Sequence, residues 1–588
     1  MSNRPTKSRQ HPLSTANLKR ESLPLSPIAV VIRASIVGLG LGLAHSTSFA
    51  ATITVDSNLD DGTDCTLRGA INSINMGVLQ DDCEIVSGSG GLGISDTINF
   101  AMPNNTIVLN GAQLLVENDL TINDSAANIV ISAERNSRVL FLDSSDVTLN
   151  SLTITNGSIN GSGGGIYAKA GSTTISNSTV SGNFAYGQGA GIFLSDNSVV
   201  SINESDISNN TAYLINGGEI GSAIHATGTS TTVDINESVF SNNGGTGSGG
   251  IIFVENSASA SISNSNVKNN SSLYFSALSA VKASTGAVIE LSDTTISRFR
   301  SEYDDAIAVW ASGSTTSISV TNSSVADVSS FGEAGSTGIL ASDGASISLV
   351  DSTVSGIDDF NSTYGVRATS NASIDLSNST ISGIESSYFG ANGVSADSGA
   401  SIDIANSTIS GTHGSYAAVG IRTSGAGTSI TLSNSTVADT YIFSSRNYAI
   451  NSIFVDDSAS ISVYNSILAG ARNIQDPNDT RPANCDGNVT IDSSSVVSDA
   501  SCGEQVVVGD PGIGVLADNG GPTFTHALSA DSIAINAASN AICPTTDQRG
   551  ELRNDGACDV GAFELQGVDV NTYYVFPIAN GSTVVIPL

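Results

Sequence analysis

The sequence predicts an all-β fold, a single-stranded right-handed parallel β-helix, and three observations carry that prediction. A short apolar phrase recurs at a nearly constant interval, β-branched residues fill the stretches around it, and no proline stands between Asn104 and Asp476. Inner strands of a parallel sheet use every backbone N–H, and proline has none to give. The phrase reads ISNSTV from Ile175, ISNSNV from Ile262, LSNSTI from Leu376, IANSTI from Ile404 and LSNSTV from Leu432. Its last apolar residue marks twelve copies: Ile154, Val180, Ile207, Phe240, Val267, Ile296, Val325, Val354, Ile381, Ile409, Val437 and Leu468. The mean interval is about 28.5 residues, too short for a propeller blade, and no LxxLxL unit of a leucine-rich solenoid occurs.

Within one repeat, each column has a physical reading. Five residues before the marker every copy is apolar, and seven before it most are, as in Ile289 with Leu291 or Ile402 with Ile404. Apolar positions two apart are one face of a strand. The odd gap of five to the marker requires a bend between two strands. At that bend, three before the marker, stand Asn177, Asn264, Asn322, Asn378, Asn406, Asn434, Asn465, Asp293 and Asp351. Asn and Asp tolerate the left-handed conformation that a tight corner needs. One residue later Ser fills ten of the twelve copies and Thr294 another, with a parity that turns a small hydroxyl inward. A further strand precedes each pair, as at Ile166, Ile192, Ile339 and Val394, so each rung has about three strands.

Composition agrees and removes other classes. Of 588 residues, 55 are acidic and 21 basic; 39% are hydrophobic and 13% charged. A disordered chain of this acidity would carry denser charge and fewer apolar residues. A net charge of −34 repels phosphate, so neither nucleic acid nor an anionic membrane is an expected partner.

Along the chain, five segments follow. Residues 1–50 hold six of the cations, an apolar run from Ala34 to Ala44 and the small-x-small pattern Ser48-Phe49-Ala50, which reads as a signal peptide cut before Ala51. Its removal leaves 15 cations against 54 acids. The mature chain has no transmembrane span, and the expected location is secreted, extracellular or on the outer cell surface. Residues 51–135 form an amino-terminal cap and the first strands, with a capping helix over Thr66–Val78 and Thr66 as N-cap. Residues 136–472 are the helix repeats, 473–566 a carboxy-terminal cap, and 567–588 a hairpin around Asn580-Gly581. Six cysteines fall into local pairs, Cys65 with Cys83, Cys485 with Cys502 and Cys543 with Cys558, and disulfides of an oxidising compartment are expected. No CxxC or Cys/His cluster suggests a metal. No cofactor is expected; calcium would suit a lyase, but no motif supports it.

Two segments resemble known families. Cys65-Thr66-Leu67-Arg68-Gly69-Ala70-Ile71 resembles the CSLREA motif at the start of secreted bacterial β-helix proteins, with Thr for Ser and Gly for Glu. Leu516-Ala517-Asp518-Asn519-Gly520-Gly521-Pro522-Thr523, Asp547-Gln548-Arg549-Gly550 and Cys558-Asp559-Val560-Gly561-Ala562-Phe563-Glu564 resemble the choice-of-anchor Q domain. The resemblance implies a bacterial surface or secreted β-helix protein and implies no catalytic residues. Asp547, Arg549 and Arg553 read as buried-turn and ion-pair residues of the cap.

Candidate site residues come from the outward column of the first strand: Tyr167, Phe193, His225, Phe253, Lys282, Trp310, Leu340, Arg367, Ser395, Arg422 and Phe454. Aromatic rings and cations side by side suit sugar rings and acidic glycans. In the next outward column stand the acids Glu255, Asp397 and Asp456; Asp397 and Asp456, with Arg422 between them, are the weak catalytic candidates. Asp304, Asp305, Glu302, Arg298 and Arg300 read as a solvated loop with internal ion pairs, and His413-Gly414 matches only a fragment of a polygalacturonase pattern. The leading expectation is a non-enzymatic adhesin or rod binding glycans or a host or neighbouring cell surface. A polysaccharide lyase or glycoside hydrolase, and a structural spacer or passenger, are the alternatives.

Overall fold

A computed structural model describes residues 50–566 and the strands 573–577 and 583–587; the stretches 94, 103, 124–127, 215–217, 273–276, 333, 444–449, 457, 477–482 and 554–555 are not described. The expected signal peptide lies outside the described residues except for Ala50. Three parallel sheets wind around one core. In one rung the chain passes through sheet 1 at Ile166–Lys169, sheet 2 at Ser172–Ser176 and sheet 3 at Thr179–Ser181, and the next rung begins at Ile192–Ser195. The fold is the expected parallel β-helix.

The markers stack in sheet 3 in unbroken register from Ile154 to Leu468. Ile107 and Ile131 continue the column at one end and Val497 and Val508 at the other. The helix is thus longer than twelve rungs, because the end rungs keep the strand pairing after losing the phrase.

The corner between sheets 2 and 3 is built as its residues require. Asn177, Asn264, Asn322, Asn378, Asn406, Asn434, Asn465, Asp293 and Asp351 all hold φ between 46° and 52°. The hydroxyls that follow form a ladder: the Ser178 N–H donates to Ser205 Oγ and the Ser205 N–H to Ser238 Oγ, each at 3.1 Å. The same bond recurs through Ser265, Thr294, Ser323, Ser352, Ser379, Ser407, Ser435 and Ser466. Each of these hydroxyls also donates to the carbonyl two residues back, as Ser379 does to Ser377 at 2.7 Å. Turning the corner therefore leaves no buried N–H unpaired along this column.

At the amino end, the capping helix spans Leu67–Met76 and buries Leu67, Ala70, Ile71 and Ile74. Thr66 Oγ1 accepts from the Gly69 N–H at 3.0 Å, and Gly77 stops the helix at φ 68°. Disulfides join Cys65–Cys83, Cys485–Cys502 and Cys543–Cys558, as paired from sequence.

The 473–566 segment differs from a simple end plug. Residues Ala483–Asp486, Val489–Ile491 and Val496–Val497 add one strand to each sheet. The remainder folds back along the outer face of sheet 3, where Leu528, Ala534, Val560 and Phe563 pack on Ile467, Ala469 and Val496 as a second small core. Gln548, fully enclosed, accepts from Thr408 Oγ1 and donates to Thr380 Oγ1 and to the Phe524 carbonyl. Arg553 and Glu564 form a buried pair at 2.9 Å, and Arg549 closes on Asp547 at 2.7 Å, so these are ion-pair residues as read from the sequence. The tail strands Tyr573–Pro577 and Thr583–Pro587 pair antiparallel; Asn580-Gly581 lies outside the described residues.

Candidate functional site

The outward column of sheet 1 is aligned residue for residue as the repeat implies. Tyr167 pairs with Phe193, Phe193 with His225, His225 with Phe253, Phe253 with Lys282, and Lys282 with Trp310. The column goes on through Leu340, Arg367, Ser395, Arg422 and Phe454. Its surface is less available than its composition suggests. Neighbouring rings pack at 5.0 Å from Tyr167 to Phe193, 5.4 Å from Phe193 to His225 and 4.9 Å from His225 to Phe253. The chain entering sheet 1 also presses on their bases: a Cβ on Gly189 would lie 2.8 Å from Phe193 Cβ. His225 and Phe253 are 0% exposed and Lys282 1%, so these three present no surface to a ligand.

The charges of this column are closed on one another. Lys282 Nζ donates to Glu219 Oε1 at 2.6 Å and lies 3.6 Å from the Trp310 ring centre. Burial holds the Lys282 ammonium below its ordinary value, against the pull of Glu219. His225 Nε2 is 3.0 Å from Glu255, Arg367 is 2.9 Å from Asp397, and Arg422 is 3.9 Å from Asp456. Burial works to raise the Asp397 carboxyl, but bonds from Thr369 and Arg367 outweigh it and hold it below the ordinary range. Asp397 is therefore an ionised partner of Arg367 rather than a proton donor. Asp397 pairs in register with Ser424, which stands on the rung between, and so sits two rungs away from Asp456. The loop acids Asp304 and Asp305 accept hydrogen bonds from the N–H groups of Asp305 and Gly335, and no ion pair joins them to Arg298 or Arg300 among the described residues.

A second column, on the outer face of sheet 3, was not singled out from the sequence. Four residues past the marker, Arg300, Ser329, Asp358, Glu385, His413, Tyr441 and Arg472 stand in register on successive rungs. An aromatic residue follows each of the first six two or three positions later: Tyr303, Phe331, Phe360, Tyr388, Tyr416 and Phe443. These rings line the turn from sheet 3 to sheet 1. Phe360 and Tyr388 lie 4.9 Å apart and 6° from parallel, and Tyr388 to Tyr416 is 5.0 Å. Phe360 is 57% exposed, Tyr388 42% and Phe389 47%.

Beside the column runs a shallow trough. Gly356, Gly383 and Gly411 hold φ of 61° to 64° and carry no side chain next to Asp358, Glu385 and His413. Its upper part is lined by Arg298, Arg300, Asp327, Ser329, Gly356 and Asp358. Burial and the neighbouring Asp358 carboxylate push the Glu385 carboxyl up. Burial brings His413 down to about 4, Arg472 lowering it further and Asp439 opposing, so the imidazole is neutral at pH 7. It stacks on Tyr441 at 3.7 Å. Asp358 and Glu385 enter no ion pair among the described residues, whereas Asp439 is held by Arg472 at 2.9 Å. Counting four past the marker would have found this column.

Among the described residues, no group of three or more His, Cys, Asp or Glu side chains is placed to hold a metal ion. No helix among them is long and apolar enough to cross a membrane.

No protein-family model matches the chain, and no curated protein matches it. Solved structures resemble it, two of them as follows. One is the cryo-EM structure of the Vag8–C1 inhibitor complex, at 14% identity over 68% of this chain and 86% of that one, with a TM-score of 0.39. The other is the A-module of mannuronan C-5 epimerase AlgE6 from Azotobacter vinelandii, at 13% identity over 74% and 94%, with a TM-score of 0.28.

Proposed function

We propose that the chain is a secreted or cell-surface bacterial rod, with a CSLREA-like start and a choice-of-anchor Q-like end, that binds glycans without turning them over. The observation that carries this reading is repetition. A polar or charged side chain and an aromatic ring recur together on six consecutive rungs of sheet 3, the ring exposed on the first four and half-buried at Tyr416 and Phe443. A repeating surface of that kind suits a repeating polymer, because sugar hydroxyls meet the polar column while apolar sugar faces meet the rings. Three disulfides support an oxidising, extracellular setting.

One observation favours a second reading, a glycoside hydrolase. Asp358 and Glu385 stand on adjacent rungs, about 4.8 Å apart along the sheet, near the separation of two carboxyls in retaining glycosidases. Against it, both are open to water and no wall closes over them, so the water-poor setting that strengthens catalytic electrostatics is missing. A glycan array read with the mature chain, beside a reducing-sugar assay on every glycan retained, decides between them. Retention without new reducing ends is the expected outcome. Release of reducing ends that Glu385→Gln abolishes would replace the binding reading by the hydrolase.

A further inference from the structure

We infer that the outer face of sheet 3 at Asp358 and Glu385, with the rings of Phe360, Tyr388, Phe389 and Tyr416 in the turns that follow, is the glycan site, and that it takes a neutral linear polysaccharide lying along the rod. The inference rests on the glycan-binding reading above and adds the place and the chemical class.

Three features select the class. The two carboxylates at the centre of the trough lack a cationic partner among the described residues. Each can accept a pair of hydrogen bonds from vicinal sugar hydroxyls, and the same charges repel a uronic-acid or sulfated chain. The cations nearby do not reverse this: Arg298 and Arg300 at the upper end are matched by Asp327 and Asp358 of the same lining, and Arg472 is spent on Asp439. By contrast, the cations of sheet 1 that would suit an acidic glycan are neutralised by Glu219, Asp397 and Asp456.

The direction follows from the stacking. The rings repeat along the rod at about the strand spacing of 4.8 Å, close to the length of one pyranose, so a chain laid along the axis meets a new ring and a new polar group with each sugar. A chain laid across the sheet would meet one of each. Gly356, Gly383 and Gly411 leave room for it, since they place no side chain of their own next to the column.

Titration calorimetry of the full mature chain with cellohexaose, laminarihexaose, mannohexaose and hexagalacturonate tests this. At least one neutral hexasaccharide binds, Tyr388→Ala weakens it about tenfold, Glu385→Gln weakens it several-fold, and Trp310→Ala and Arg367→Ala leave it unchanged. Preference for hexagalacturonate over all three neutral chains overturns the class. Neutral binding that survives Tyr388→Ala and Glu385→Gln but is lost in Trp310→Ala or Arg367→Ala overturns the site and leaves glycan binding standing. Binding of none of the four overturns the inference together with the reading on which it rests.

Discussion

The two halves of sheet 3 turn the same corner with opposite chemistry. In both, the residue two past the marker is left-handed: Gly182, Asn209, Asn242 and Asn269 early, Arg298, Asp327, Gly356 and Gly383 late. The residue after it points into the core. Early, it is Asn183, Asn210, Asn243 and Asn270, and each of the first three gives its own N–H and its Nδ2 to the Oδ1 of the next. Late, it is Phe299, Val328, Ile357 and Ile384, fully enclosed and stacked. The amide ladder interrupts the strand, leaving short pieces such as Val239–Ser241 and Gly244–Thr246; the apolar stack lets one strand run seven residues, as at Thr353–Asp359. The bend belongs to the left-handed residue, and its inward neighbour decides whether the outer face beyond it is broken or flat. The flat half carries both the charged column and the folded-back carboxy-terminal segment.

Mixing the two chemistries gives the largest effect. Ile357→Asn places one amide between Val328 and Ile384, where it finds no ladder partner, and costs about 4 kcal/mol. Hydrogen exchange should show lost protection over residues 325–411 with the early rungs unchanged. Unchanged protection there would mean that an isolated amide can satisfy itself in the apolar stack. The reverse change is smaller. Asn210→Leu removes bonds to Val180, Asn183 and Asn243 but fills the space with apolar volume, costing about 3 kcal/mol, seen as local exchange over residues 180–245.

The smallest effect is one of pH, confined to the late half. His526 Nδ1 lies 2.8 Å from the Gly514 carbonyl and Nε2 2.9 Å from Ser410 Oγ, and burial holds its imidazole below the ordinary value. The unfolded histidine, with a pKa near 6.5, binds a proton before the folded one. The stability from burying it neutral is therefore complete above about pH 6.5 and declines as the pH falls below it. Protease susceptibility of the 510–566 segment should rise between pH 7 and 5, and His526→Gln should flatten that rise. A slope unaltered by the substitution assigns the effect to another group.

Much of this architecture was legible in the sequence because inward positions are constrained on every rung. The markers, the left-handed Asn corner and the Ser column are each one residue type repeated, and the sheet 1 column followed from counting. Enclosure was not legible: nothing in the strand that carries His225 states that the next rungs and the incoming chain cover it. The sheet 3 column was missed because outward positions vary freely, here from Arg300 to Ser329 to Asp358. The fold-back was missed because its contacts, such as Thr380 with Phe524 and Asn406 with Thr546, span 140 residues or more and follow no period.

That fold-back orders the assembly in time. Early rungs touch only their neighbours, so they can be added one after another as the chain is delivered from its amino end. The rungs holding Thr380, Thr408 and Thr436 share hydrogen bonds with Gln548, Phe524 and Ala562, residues that arrive late. Until then the outer face of the late half stays uncovered, with Ile467 and Val496 facing water. Residues 510–566 act as a completion signal: a chain truncated before them would keep its helix and display the unfinished flank, a natural point for quality control to recognise.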